Sequence, residues 1–172
     1  MALTKLNNQS LSAVTSAGLP SGTVLQVVHS LYTTEESITQ TADVPNATGL
    51  TATITPTSTS SKILVTYTLC TSADNTGAAY GSMHMVYHDI GQTGTDTAFN
   101  SRYFGACMGQ YSTYSLVNVT GQILHEPSTT SAIDYTVYVN LDSGGTIYVN
   151  RGGSSATTRD GVSSITLTEI AG

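Results

Sequence analysis

The chain is 172 residues long, which gives room for one domain with a sizeable core. Its net charge is −6, and its five basic residues, Lys5, Lys62, Arg102, Arg151 and Arg159, are too scattered in sequence to form a basic stripe, which argues against a nucleic-acid partner. Charged residues are 9% of the chain while Ser and Thr number 51, so hydroxyls cover surface that other proteins cover with Lys and Glu; this suits pleated strands, and suits faces buried against copies of the same chain, where ionised groups are costly to desolvate.

In chain order, residues 1–22 (MALTKLNNQSLSAVTSAGLPSG) come first. Leu3, Leu6, Leu11, Val14 and Leu19 are spaced among small polar residues and end at a Gly/Pro break. That is too sparse for a core, so the segment is expected to be an extended arm that docks on a neighbouring subunit through those five side chains. The remainder, 23–172, is expected to be the domain itself.

From Thr23 onward the pattern is β. Strands are predicted at 23–32, 49–55, 62–69, 82–90, 114–124, 133–141, 146–150 and 162–170. In 62–69, Ile63, Val65, Tyr67 and Leu69 point one way and Lys62, Leu64, Thr66 and Thr68 the other. The strictest alternation is Ile133, Tyr135, Val137, Val139, Leu141. Between the strands lie turn residues: Asp74-Asn75-Thr76-Gly77, Gly91 to Gly94, Ser143-Gly144-Gly145 and Arg151-Gly152-Gly153. No interior stretch shows helical periodicity over ten residues. The fold class predicted is all-β, an antiparallel two-sheet jelly-roll-like sandwich with an extended N-terminal arm. The last strand, in SSITLTEIAG, is expected to lie inside a sheet, paired on both sides.

MALTKLNNQS has no charged region followed by an apolar run, so synthesis in a cytoplasm is expected, with Cys70 and Cys107 reduced and the sequons at Asn8, Asn46 and Asn118 incidental. No apolar run approaches the roughly 20 residues of a membrane helix, and no membrane partner is expected.

Chemistry has few footholds. His84 and His88 share one face of a strand, but at about 3.3 Å per residue their Cα atoms stand roughly 13 Å apart, too far for one metal ion. Asp89 follows His88 directly and points to the opposite face. Asp142 and Asp160 fall in turns, and no GxSxG elbow occurs. No enzyme, metal or cofactor is expected. Residues 98–114 (AFNSRYFGACMGQYSTY) concentrate aromatic side chains; Arg102, Tyr103, Tyr111 and Tyr114 are candidates for a subunit interface or a glycan contact, with core filling the alternative for the rings.

Several segments carry a resemblance. GTVLQVV at 22–28, TATITPTSTSSKILV at 51–65, EPSTTSAIDYTVYVN at 126–140, GGTIYVNR at 144–151 and SSITLTEIAG at 163–172 resemble, in this order and spacing, small virion proteins of tailed bacteriophages frequent in aquatic bacteria. The opening MALTKLNNQSLSAVTSAGLP is similar to the leader that precedes such domains in phage fibre and head-decoration proteins. The resemblance is weakest across 73–113. It implies a trimeric jelly-roll-like domain displayed on the virion surface and attached by its N-terminal arm. Two functions follow as expectations: a homotrimeric cement protein that braces the major capsid protein, or a fibre domain joined to a tail or baseplate protein that binds host glycans.

Overall fold

A strand with one buried face requires apolar side chains at period two. The computed structural model, which describes residues 19–74, 83–99, 105–106, 116–141, 145–152 and 160–172, turns that pattern into eleven strands among those residues. They are β1 (Val24–Tyr32), β2 (Glu36–Gln40), β3 (Asn46–Ile54), β4 (Lys62–Asp74), β5 (Met83–Ile90), β6 (Thr97–Ala98), β7 (Gly105–Ala106), β8 (Val117–His125), β9 (Ile133–Asn140), β10 (Gly145–Val149) and β11 (Ser163–Ile170). All pairings are antiparallel.

In the first sheet β4 pairs along one edge with β8 and along the other with β11 and then β10; β1 flanks β11 and β2 flanks β10. The second sheet runs β3-β9-β5, with β6 and β7 on the far side of β5. The expected all-β, jelly-roll-like sandwich of two antiparallel sheets is what the chain forms, and the last strand lies between β1 and β4 as predicted.

Ile63, Val65, Tyr67 and Leu69 of β4 and Ile165 and Leu167 of β11 meet Leu50, Ile54, Ile133, Tyr135, Val137 and Val139 of the second sheet, all of them buried. Each such side chain contributes up to about 1.5–3 kcal/mol relative to exposure, and alternation along both sheets makes the contributions contiguous. Tyr67 needs a glycine opposite: a Cβ at Gly121 would stand 2.4 Å from its ring.

Two parts of the sheets differ from expectation. β4 runs to Asp74 rather than Leu69, because Thr71 and Ser72 are polar yet fully buried, and Ser72 Oγ donates to the Arg151 carbonyl at 2.9 Å. β2 (ESITQ) has one apolar residue and gives no alternation to detect. Of the predicted arm, Leu3, Leu6, Leu11 and Val14 lie outside the described residues, as do Cys107, Asn75 to Gly77, and Ser143 and Gly144.

Where β11 gives way to β10 along β4, the backbone must pass a junction without leaving polar groups unpaired. Asn150 does this. It holds φ at +58°, and its amide donates to the carbonyls of Tyr32 (2.8 Å) and Thr34 (3.0 Å), in the gap between β1 and β2. Its side-chain oxygen accepts from Ser163 Oγ at 2.7 Å, and that hydroxyl accepts from the Cys70 N–H at 3.0 Å. Its backbone N–H donates to the Cys70 carbonyl, and its carbonyl accepts from Gly161. Both Asn150 and Ser163 are fully buried. Replacing Asn150 by Gly keeps the backbone relaxed but strips these bonds, at a cost of about 2–4 kcal/mol. Asn150→Asp is expected to cost more, because a carboxylate then faces two carbonyl oxygens; urea unfolding of both variants checks the order.

Candidate functional site

The outward faces of the two sheets differ in charge. On the first sheet, register aligns three rows across four strands: Val27, Thr168, Leu64 and Leu124; His29, Thr166, Thr66 and Gln122; Leu31, Ser164, Thr68 and Thr120. None of these twelve is Asp, Glu, Lys or Arg. Val27, Leu31 and Leu124 are more than half exposed, which is unusual for large apolar side chains arranged on one face. The hydroxyls bond sideways rather than outward: His29 Nδ1 meets Thr166 Oγ1 at 2.9 Å and Thr68 meets Thr120 at 3.2 Å. Across these three rows the face is apolar at its margins and neutral, and the Lys62–Glu126 pair closes one end.

The second sheet's outward side carries the carboxylates. Asp89 accepts from the N–H groups of Thr93 (2.9 Å) and Gly94 (2.6 Å) and from Thr93 Oγ1 (2.8 Å), closing a turn in which Gly91, Gln92 and Gly94 all have positive φ. Asp134 accepts from Thr53 and Gln92, and Asp96 from the Tyr138 hydroxyl; the Tyr138 ring stacks on Tyr87 at 3.9 Å.

At one end of the sandwich the inner faces are polar. Glu169, Ile63 and His125 align across β11, β4 and β8. Glu169 is fully buried; it accepts from Gln26 Nε2 at 2.6 Å and from Thr57 N–H and Oγ1 at 2.7 and 2.8 Å, tying β11 to β1 and to the segment after β3. Burial alone raises its pKa, but these hydrogen bonds outweigh it and the net shift is downward. On the other side, His125 packs ring to ring on His88 (4.6 Å) and Phe99 (4.6 Å), and its Nδ1 meets the Tyr135 hydroxyl at 2.8 Å. Burial, with the neighbouring His88, pushes His125 down to about 4; burial lowers His88 as well, against Asp89 and Asp96.

His84 and His88 share one face of β5, and that face is the inner one. His84 is fully buried, its pKa pushed down to about 4 by that burial. Asp89 points away from His88, so the two make no catalytic pair. Among the described residues no three His, Cys, Asp or Glu come together to hold a metal ion. Phe99 fills the core beside His88, the alternative foreseen for the rings of its segment. Arg102, Tyr103, Tyr111 and Tyr114 lie outside the described residues. Sequence reading misses His125: it predicts a strand that stops at Leu124, although Val119, Gly121 and Ile123 continue the inward alternation to it. It misses Glu169, whose neighbours Leu167 and Ala171 mark it as inward-facing.

Leu19, of the predicted arm, lines a recess of about 460 Å³ with Leu25, Thr57, Ser58, Ala171 and Gly172, beside Glu169's partners.

Neither a protein-family model nor a curated protein sequence matches the chain. Among solved structures it is similar to the infectious bursal disease virus VP2 subviral particle (11% identity, 84% of this chain, 39% of that chain, TM-score 0.41). It is also similar to a structure of the Gx strain of the same virus (12% identity, 87% and 39%, TM-score 0.37). The chain spans about two fifths of the length of those chains. At such identities and scores neither likeness bears on function.

The unfolded chain protonates Glu169 near its ordinary value of 4.5, before the folded chain does. Its contribution is therefore complete above pH 4.5 and lost as pH falls through the lower folded value. Glu169→Ala, which strands the Gln26 and Thr57 donors, is expected to cost on the order of 2–3 kcal/mol at pH 7 and to flatten the acid limb of thermal stability below pH 4.5.

Proposed function

We propose that the protein is a non-enzymatic structural component of a tailed-bacteriophage virion, a homotrimer that decorates the capsid surface and braces the major capsid protein. One observation carries the reading: an acidic chain keeps three consecutive outward rows over β1, β11, β4 and β8 free of ionised side chains, with the Lys62–Glu126 pair at one end, while its other sheet bears Asp89, Asp96 and Asp134. Copies with a net charge of −6 approach each other at least cost through a face without carboxylates.

The face is small for a two-copy contact. Four strands at about 4.8 Å by five residues at about 3.3 Å give roughly 320 Å² per copy, or about 630 Å² per pair, short of the 1,200 Å² or so of a stable specific contact. In a closed trimer every copy makes two contacts, so a second surface of each copy adds to this face. Residues 1–22 are proposed as the attachment arm, leaving the domain beside the recess at Leu19. Synthesis in the host bacterial cytoplasm and display on the particle go with this reading, which the sequence resemblance also supports.

Light scattering at micromolar concentration is expected to give three times the 17.9 kDa chain mass. Thr166→Glu, in the middle of the neutral face, is expected to change unfolding free energy by less than about 1 kcal/mol yet reduce the mass to that of one chain. Trimers lacking residues 1–20 are expected not to bind empty heads. A single-chain mass for the unaltered protein overturns the trimer; glycan-array binding without head binding transfers the protein to a fibre.

A further inference from the structure

We propose that His88 and His125 form an acid-released latch that holds the edge strand β8 against the second sheet. Among the described residues β8 pairs with β4 alone. His125 ends β8 and His88 stands on β5 of the opposite sheet, so their contact, 4.6 Å between ring centroids, joins the two layers. Phe99 sits 4.6 Å from each ring and Tyr135 closes the other side. Among the described residues the pair's polar contact is that of His125 Nδ1 with the Tyr135 hydroxyl, and His88 Nδ1 is buried with no hydrogen-bond partner.

A proton placed on either ring lands among other rings, and two protons stand face to face. Nearby charges offset this only in part. Asp89 and Asp96 face the outer side, held by the 93–94 turn and by Tyr138. Lys62 pairs with Glu126 at 2.7 Å at the surface, and Glu169 is separated from His125 by Ile63.

With the closed state favouring neutral imidazoles, an opened β8 takes up protons below the free-histidine value of 6.5. Closure is complete above that pH and weakens as pH falls toward the folded value of about 4. Carboxyl groups ordinarily ionise at about pH 4, so a response between 6.5 and 5 points to histidine. His84 titrates too, but from inside the core, and so responds to global unfolding. This inference is independent of trimer formation.

Hydrogen exchange of the full chain at pH 7.5 and 5.5, corrected for intrinsic rates, tests it. Each proton taken up on opening raises the opening constant by up to about tenfold per pH unit. β8 amides are therefore expected to lose protection at least about fivefold while the β1–β11 amides hold. His88→Phe, which removes the partnerless nitrogen and keeps a ring, is expected to retain protection at pH 7.5 and to show a smaller acid response, His125 keeping the share set by its own burial. Unchanged β8 protection in the native chain, or an undiminished response in His88→Phe, overturns the latch. Should the variant misfold, imidazole proton resonances of the native protein decide: both rings titrating at 6.5 overturns it, and values below 5.5 support it.

Discussion

The fold depends on closing a junction between half-strands. β4 is longer than either partner on its inner-sheet edge, so β11 must hand over to β10 and β1 to β2 along the same line. Each hand-over interrupts a ladder, and each interruption leaves backbone carbonyls and N–H groups with no strand to bond. Asn150 supplies them from one side chain, reaching carbonyls in the β1–β2 gap and, through Ser163, the N–H of Cys70 on β4. Only a small residue tolerant of φ near +58° with both a donor and an acceptor fits there, which is the chemistry of asparagine. Gly161 is held by the same geometry: a Cβ on it would meet Cys70 Sγ at 2.3 Å. The burial of Cys70 that raises its thiol pKa is a by-product of that closeness.

Two kinds of polar closure then meet at one end of the core. On the β11 side a buried carboxylate is satisfied by three donors; on the β8 side two imidazoles are packed among rings with a single hydroxyl contact. The first is an ionised group made comfortable, the second a pair of ionisable groups kept neutral. Both lose stability as acid is added, for opposite reasons: protonation removes the charge that Gln26 and Thr57 hold in place, and adds one where burial beside Phe99 and Tyr135 strips it of water.

Much of the fold was legible in the sequence because period-two alternation is local. Ile63 to Leu69 and Ile133 to Leu141 declare their inward faces without reference to any partner, and the hydroxyl alternation Ser164, Thr166, Thr168 declares the outward one. What stayed hidden was set by pairing across long stretches of chain. Thr71 and Ser72 look like the end of a strand until β10 covers them. His125 looks like a loop residue until β8 is seen to place it 4.6 Å from His88. The neutral platform was half legible: each strand shows its own uncharged side, but only the register brings Val27, Leu64 and Leu124 into one row.

β8 belongs to both of the surfaces that distinguish this domain. Leu124, Gln122 and Thr120 point outward into the neutral platform, and His125 and Ile123 point inward into the latch. In a trimer built on that platform, burying the outward residues stabilises the closed position of β8, and linkage requires that the closed position favour association by the same free energy. In such a trimer acid would act on assembly without touching a charged interface, by protonating imidazoles on the inner side of a strand whose outer side would be the contact. An association that weakens between pH 6.5 and 5 although the contacting face carries no carboxylate is the signature of this coupling, and it sets the arrangement apart from interfaces held by ion pairs, which respond to salt as well as to protons.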